Sequence, residues 1–130
     1  MILLDTSVLI DSLSGPKRSA PALREAIALG ERIEIPTLVL YEWLRGPRVP
    51  EELSAQEALF PSAASVHFGP EEASLAAKLY GSVTRPRGRE VDLAIASCAI
   101  TWDAVLWTLN VGDFNDVPGL RMSRPEGAVP

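Results

Sequence analysis

The chain has 130 residues, of which 47% are hydrophobic and 22% are charged. This composition suffices for one folded domain with a single core, and it excludes intrinsic disorder, because a disordered chain lacks the apolar area that offsets the entropy of ordering. Seventeen acidic residues against twelve Lys and Arg give a net charge of −5, which argues against a nucleic-acid binder that relies on overall positive charge.

Short apolar runs alternate along the chain with segments of helical periodicity. The predicted strands are residues 2–4, 32–35, 65–68, 104–109 and 120–122. The predicted helices are residues 7–13, 19–29, 37–46, 51–60, 71–83 and 90–102. Because this alternation is typical of parallel strands joined by helical crossovers, we predict an α/β fold, a three-layer α/β/α sandwich around a mainly parallel sheet of about five strands. The domain is expected to cover residues 1–123, with 124–130 as a loose tail.

The single cysteine, Cys98, lies inside the apolar run AIASCAI, where we expect a buried thiol in a reducing compartment. The N-terminal MILLDTS lacks the basic start of a signal peptide, and no apolar stretch approaches the ~20 residues that span a bilayer. We therefore expect a cytoplasmic protein without membrane contact.

Four acidic residues lie where a parallel α/β fold would bring side chains together. Asp5 ends the first predicted strand, and Asp113 follows the strand at 104–109. Sites in open α/β sheets form beyond the carboxyl ends of the strands, so both positions favour function. Asp92 stands in the first turn of the most apolar helix, and Glu42 lies in the middle of LVLYEWL. A carboxylate on an apolar face needs a partner.

Each acid also has an ordinary structural interpretation. Asp5 could cap a helix, Asp92 could complement a helix dipole, Glu42 could pair with Arg45, and Asp113 could form a turn. Their joint occurrence favours a site, because four converging carboxylates repel one another unless a cation holds them. Ligation by oxygen alone favours Mg²⁺ or Mn²⁺ over zinc.

Four segments carry a family resemblance: ILLDTSVLID, the helix motif YEWLRG, EVDLAIASCAI, and TLNVGDF followed by VPGL. In this order and spacing they resemble the four acidic blocks of a PIN domain, as found in VapC-like toxins of VapBC-type toxin-antitoxin pairs. The resemblance runs from Ile2 to about Leu120. It implies a Mg²⁺-dependent endoribonuclease, with Mn²⁺ as a possible substitute, that leaves a 5′-phosphate on the RNA product.

The resemblance also implies roles for the acids. Asp5, Glu42, Asp92 and Asp113 form the catalytic, metal-binding cluster, with Asp5 and Asp92 as the direct ligands of Mg²⁺. Glu42 or Asp113 orients the attacking water or helps to hold a second ion, and the sequence leaves these two roles open.

Supporting residues are expected in the same blocks. Thr6 or Ser7 could offer a hydroxyl to the metal shell, and Asn110 could orient Asp113 or contact the substrate phosphate. Helix capping by the hydroxyls and turn formation by Asn110 remain the alternatives.

An arginine-rich loop, RPRGRE, directly precedes the Asp92 helix. Arg85, Arg87 and Arg89 are therefore candidates for binding the RNA backbone, and a solvated loop is the alternative. The only histidine, His67, has no supporting motif, and we interpret it as structural.

Two partners follow from the resemblance, a VapB-like antitoxin and a second copy in a homodimer. An antitoxin would place an extended or helical segment in an apolar groove near the acids. Trp43, Leu44 and the helix at 51–60 are the candidate groove residues.

Two other functions compete with the nuclease. A phosphatase of the haloacid-dehalogenase type needs a second Asp where this chain has Ser7, and it needs a late lysine, whereas no lysine follows Lys78. A PIN-like module that binds proteins without catalysis would tolerate an incomplete acidic set, yet all four positions carry acids here. Metal binding discriminates the module from the enzyme.

Overall fold

A four-stranded parallel sheet forms the centre of the protein, seen in a computed structural model that describes residues 1–125. Its strands are β1 (Ile2–Leu4), β2 (Ile33–Glu34), β3 (Val105–Trp107) and β4 (Met122–Ser123). They lie in the order β2-β1-β3-β4, and all three pairings are parallel. Since β1 and β3 are neighbours in register, their carboxyl ends meet at one edge of the sheet.

Helices flank this sheet and supply the crossovers between its strands. They are α1 (Thr6–Leu13), α2 (Ala20–Ala28), α3 (Thr37–Arg45), α4 (Pro50–Leu59), α5 (Pro70–Ser82) and α6 (Glu90–Thr101). The predicted α/β architecture with a mainly parallel sheet is confirmed. Even α5, the longest helix of residues 1–125, has only 13 residues, and none there is long and apolar enough to cross a bilayer.

The predicted strand at 65–68 is reduced to a single bridge between Val66 and Pro36. Val66 donates its N–H to the Ile35 carbonyl at 2.9 Å, and its own carbonyl accepts the Thr37 N–H at 2.9 Å. The chain enters α3 at Thr37, so the ladder has no extended partner to continue along. This is why four strands form where about five were expected.

The core is formed by the strands together with buried side chains of α1, α2, α3, α5 and α6. Every residue of β1 is buried, and so is every residue of α6 from Leu93 to Ala99. Cys98 belongs to this core, where burial raises the pKa of its thiol to about 12. It therefore packs as a small apolar group, as the sequence predicted. Of the predicted tail at 124–130, residues 126–130 lie outside the described part of the chain.

Trp43 is completely buried, and our expectation that it lines an exposed groove is wrong. It shares the inner face of α3 with Val39, one turn earlier. The guanidinium carbon of Arg48 covers its ring at 4.2 Å from the centroid, and Arg48 Nε donates to the Trp43 carbonyl at 3.0 Å. Leu44, on the opposite face, is 51% exposed and remains accessible to a partner.

Candidate active site

Asp5 follows β1 directly and is buried at the edge where the ends of β1 and β3 meet. It occupies the N-cap position of α1, yet its side chain makes no capping hydrogen bond. Instead, Oδ2 accepts hydrogen bonds from Ser7 Oγ at 2.9 Å and from Thr108 Oγ1 at 2.7 Å. The side chain is therefore held by hydroxyl groups at the sheet edge and does not serve as a helix cap.

Burial raises the pKa of the Asp5 carboxyl above its ordinary value, although the hydrogen bonds from Thr108 and Ser7 act in the opposite direction. The negative charge of Glu42 adds to the increase. A buried carboxylate beside another acid is electrostatically unfavourable, and a bound cation would offset this cost.

Thr108, which sequence reasoning did not select, is the closest partner of Asp5. It is fully buried directly after β3, and its Oγ1 also accepts the backbone N–H of Asn110 at 3.0 Å. Ser7 Oγ lies 3.5 Å away and accepts the Leu109 N–H at 3.0 Å. The sequence does show a hydroxyl residue, Thr108, directly after a predicted strand. Its importance follows only from the pairing of that strand with β1, which precedes Asp5, and the sequence does not reveal this pairing.

Replacing Thr108 by Val is expected to destabilise the protein by about 1–3 kcal/mol, because Asn110 N–H and Asp5 both lose a buried partner while the side-chain volume stays nearly constant. The pKa of Asp5 should increase further. Thr108→Ser keeps the hydroxyl and is the matched control. Urea unfolding gives the stability, and carboxyl chemical shifts give the pKa. A Val variant as stable as the wild type would show that these bonds do not hold the site.

Glu42 connects α3 to α1. Its Oε1 accepts a hydrogen bond from Thr6 Oγ1 at 2.6 Å, and its Oε2 lies 3.6 Å from Arg45 Nη2. The pairing with Arg45 expected as the alternative therefore exists, but the Arg45 side chain is 61% exposed, and such surface pairs contribute little to stability. Thr6 is the first residue of α1 and follows Asp5 directly. Its short hydrogen bond therefore holds the Glu42 carboxylate near Asp5.

Asp92 lies in the first turn of α6, and the pKa of its half-buried carboxyl is raised to about 6. Burial is the largest cause, followed by the negative charges of Asp5, Asp113 and Glu42. Arg89 lowers the pKa, but its effect is smaller. The other three predicted acids thus all act electrostatically on Asp92.

Asp113 is the exposed member of this group. It ends a 3₁₀ turn, Val111–Asp113, and its N–H donates to the Asn110 carbonyl at 2.9 Å. The turn expected as its alternative role is therefore present, while its charge still acts on Asp92. The contact of Asn110 with Asp113 is made by the backbone, and the Asn110 side chain is exposed.

The three arginines of the 85–89 loop separate into two kinds. Arg85 and Arg87 are exposed. Arg89 is partly buried and fixed in place, because its two Nη atoms reach both carboxylate oxygens of Asp116 at 2.6 and 3.1 Å. Nη2 also donates to the Asp113 carbonyl at 2.9 Å, and Nη1 to the Thr84 carbonyl at 2.8 Å. Arg89 therefore fastens the Asp113 turn beside α6, a role that the sequence did not indicate.

The donor atoms suit a hard cation, since the acids and their neighbouring hydroxyls offer only oxygen. Within residues 1–125, no three His, Cys, Asp or Glu side chains are placed so that they could hold a metal ion together. Mg²⁺ commonly uses only one or two carboxylates and completes its octahedron with water. The residues present therefore fit a hydrated Mg²⁺ and do not form a closed protein cage.

The chain is similar to known proteins. Residues 2–120 match the model of the PIN domain family. The chain is 37% identical over 124 residues to ribonuclease VapC19 from Mycobacterium tuberculosis, covering 93% of this chain and 98% of that protein.

Two solved structures have a similar fold. The crystal structure of VapBC2 from Rickettsia felis bound to a DNA fragment from their promoter gives a TM-score of 0.72 at 21% identity, covering 95% of this chain and 98% of that chain. DNA-bound VapBC from Salmonella typhimurium gives 0.74 at 22% identity, covering 95% and 96%. At these identities the likeness establishes the fold alone.

Proposed function

The chain belongs to the PIN-domain family, and from this premise we propose that it is a metal-dependent endoribonuclease, the toxin of a VapBC-type pair. The observation that carries the proposal is the placement of the acids: Asp5 is buried where β1 and β3 end, and Glu42 is bonded to the adjacent Thr6. Burial and the charges of Asp5, Asp113 and Glu42 raise the carboxyl pKa of Asp92 to about 6. These carboxylates repel one another and offer only oxygen ligands. Mg²⁺ or Mn²⁺ would neutralise their negative charge. The 37% identity to a protein named as a ribonuclease supports RNA as the substrate.

In this proposal Asp5 and Asp92 hold the cation. Both side-chain hydrogen bonds to Asp5 end on Oδ2, so Oδ1 has no side-chain donor. Ser7 and Thr108 keep the Asp5 carboxylate in one orientation. When bound, Mg²⁺ or Mn²⁺ supplies an activated water and stabilises the negative charge that develops on the phosphodiester oxygens.

The remaining residues orient the reaction. Glu42, fixed by Thr6, accepts the proton of the attacking water, and Asp113 orients that water from its exposed turn. The water oxygen bonds to phosphorus, the bond from phosphorus to the 3′ oxygen breaks, and a proton passes to that oxygen. The products are a 5′-phosphate and a 3′-hydroxyl.

The test is cleavage of a pool of structured RNAs with Mg²⁺, with Mn²⁺, and with EDTA. We expect cuts only with the cations, and products that a 5′-phosphate-dependent exonuclease degrades. Equal cleavage in EDTA would reject the metal dependence. No cleavage of any RNA with either cation would reject the nuclease.

The response to Mn²⁺ should depend on pH. Because the folded protein holds the Asp92 proton more tightly than the unfolded chain, the contribution of Asp92 to the stability of the metal-free protein falls as pH rises from the ordinary pKa of 3.8 to about 6. Mn²⁺ needs the charged carboxylate, so the increase in Tm on adding Mn²⁺ should be larger at about pH 7 than at about pH 5. Thermal denaturation measures it, and an increase of equal size at both pH values would contradict the assignment.

A VapB-like antitoxin and a second copy of the chain are the proposed partners. Exposed apolar side chains on α3, α4 and the segment between them support an antitoxin surface: Tyr41, Leu44, Val49, Leu53 and Leu59. Co-purification with the product of an adjacent gene tests the antitoxin, and light scattering of the isolated chain tests the homodimer. A strictly monomeric chain that retains no neighbour-encoded protein would reject both.

One observation favours the competing function, a PIN-like module that binds proteins without catalysis. In the described residues, no three carboxylates are placed to hold a metal ion together, and Asp113 is exposed. Such a module has no reason to bind Mn²⁺, so metal titration separates it from the enzyme. The dehalogenase-type phosphatase needs a second Asp at position 7. The chain has Ser7 there, and its hydroxyl donates a hydrogen bond to Asp5, so this alternative gains no support.

A further inference from the structure

A cavity of about 500 Å³ adjoins the acids, between the first helical crossover and the segment that follows β3. We call it the α1–α2 cavity; its lining includes Ser7, Ile10, Asp11, Arg18, Asn110 and Arg124. Ser7 belongs to both places, since its Oγ donates to Asp5 Oδ2 at 2.9 Å. A molecule that extends beyond the acids on this side would therefore enter the cavity.

Among the described residues, the lining carries a net positive charge, although the protein as a whole is acidic. It includes two guanidinium groups, Arg18 and Arg124, and one carboxylate, Asp11. Asp11 Oδ2 accepts the Ser19 N–H at 2.7 Å, and Asp11 also interacts electrostatically with Arg18. Two positive charges against one negative charge favour an anionic ligand.

Arg124 indicates most directly which ligand chemistry the cavity suits. Its Nη1 is buried and has no hydrogen-bond acceptor among the described residues. A buried donor without an acceptor costs free energy, and a phosphate oxygen would satisfy it, since guanidinium groups match the geometry of phosphate. Asn110 adds an exposed amide beside it, which can donate to a phosphate or to a base edge.

We infer that the α1–α2 cavity binds a phosphate of the RNA strand next to the one that is cut, with its nucleotide. This inference rests on the proposed nuclease function. The cavity is within the range of pockets that hold small ligands, and Ile10 and Leu109 give it an apolar wall against which a base can pack. The cavity would supply a local positive site for the RNA backbone in a protein whose net charge is −5. It lies on the Ser7 side of the acids.

The test is binding of a fluorescein-labelled oligouridylate in EDTA, where cleavage is suppressed. Arg124→Gln should weaken binding about fivefold to tenfold and reduce the slope of log K against log salt by about 0.7, the value for one phosphate contact on a single strand. Arg18→Gln, from the other side of the cavity, should have a similar effect. Arg24→Gln removes the same charge from the exposed side of α2 and should leave both quantities unchanged.

Cleavage with Mn²⁺ separates this inference from the proposed function. We expect Arg124→Gln to raise KM with little change in kcat, because it removes binding and leaves the acids intact. Wild-type cleavage together with unchanged binding by both cavity variants would overturn the cavity and leave the nuclease standing. If Arg24→Gln weakened RNA binding equally, the effect would result from the overall charge of the protein. That result would also overturn the cavity as a binding site. A wild type that neither binds oligouridylate nor cuts RNA would overturn both proposals.

Discussion

Asp92→Asn is expected to lower metal-dependent RNA cleavage by at least about a hundredfold while making the metal-free protein more stable. The loss of activity follows from removing a direct ligand of the cation, since even groups one shell further out cost about 10–100-fold. The gain in stability follows from removing a charge that is disfavoured first by burial and then by the negative charges of Asp5, Asp113 and Glu42. For a half-buried group, screening by solvent limits this gain to about 1 kcal/mol at neutral pH.

Opposite changes in activity and stability distinguish this prediction from simple unfolding of the variant. Cleavage rates with Mn²⁺ and urea unfolding in EDTA measure the two quantities. The matched control is Glu71→Gln, an exposed acid in the first turn of α5, which should change neither. An Asp92→Asn variant that cuts RNA at the wild-type rate would remove Asp92 from the site. A variant that loses stability would show that the carboxylate is satisfied without a cation.

Trp43→Ala should destabilise the protein by about 3–5 kcal/mol, the usual effect of truncating a buried aromatic side chain. Trp43 is fully buried on the inner face of α3, and Arg48 packs over its ring. The loss would be a large part of a total stability of about 5–15 kcal/mol. Any loss of antitoxin binding by this variant would then result from unfolding.

Leu44→Ala is the matched control, because Leu44 is the next residue on α3 and is 51% exposed. It should change the free energy of unfolding by no more than about 0.5 kcal/mol. Urea unfolding of both variants measures the difference. If Trp43→Ala cost no more than Leu44→Ala, the burial of Trp43 on the inner face of α3 would be wrong.

The fold and the approximate place of the site could be predicted because they depend on local patterns. Apolar runs alternate with helical segments. Asp5 follows β1 directly, and Asp113 comes after β3, the neighbour of β1 in the sheet. Parallel neighbours bring such ends together whatever the details of packing. Which acids interact with Asp92 was likewise foreseen, although their roles as ligands remain a prediction.

Features that depend on contacts between distant segments could not be predicted. Thr108 becomes significant only because β1 pairs with β3, and Arg89 only because Asp116 folds back beside α6. The segment LVLYEWL is apolar on almost every side, so its periodicity does not say that Trp43 faces inward and Leu44 outward. Likewise, the apolar run at 65–68 does not reveal that its partner chain turns into α3 after one bridge.

The measurement that tests the central claim most directly is calorimetric titration of Mn²⁺ into the wild type, Asp5→Asn and Asp92→Asn at neutral pH. We expect saturable binding to the wild type and its loss in both variants, because these two carboxylates are proposed to hold the cation. A wild type that does not bind Mn²⁺, or variants that bind it equally well, would contradict the account and favour a protein-binding module with a PIN fold.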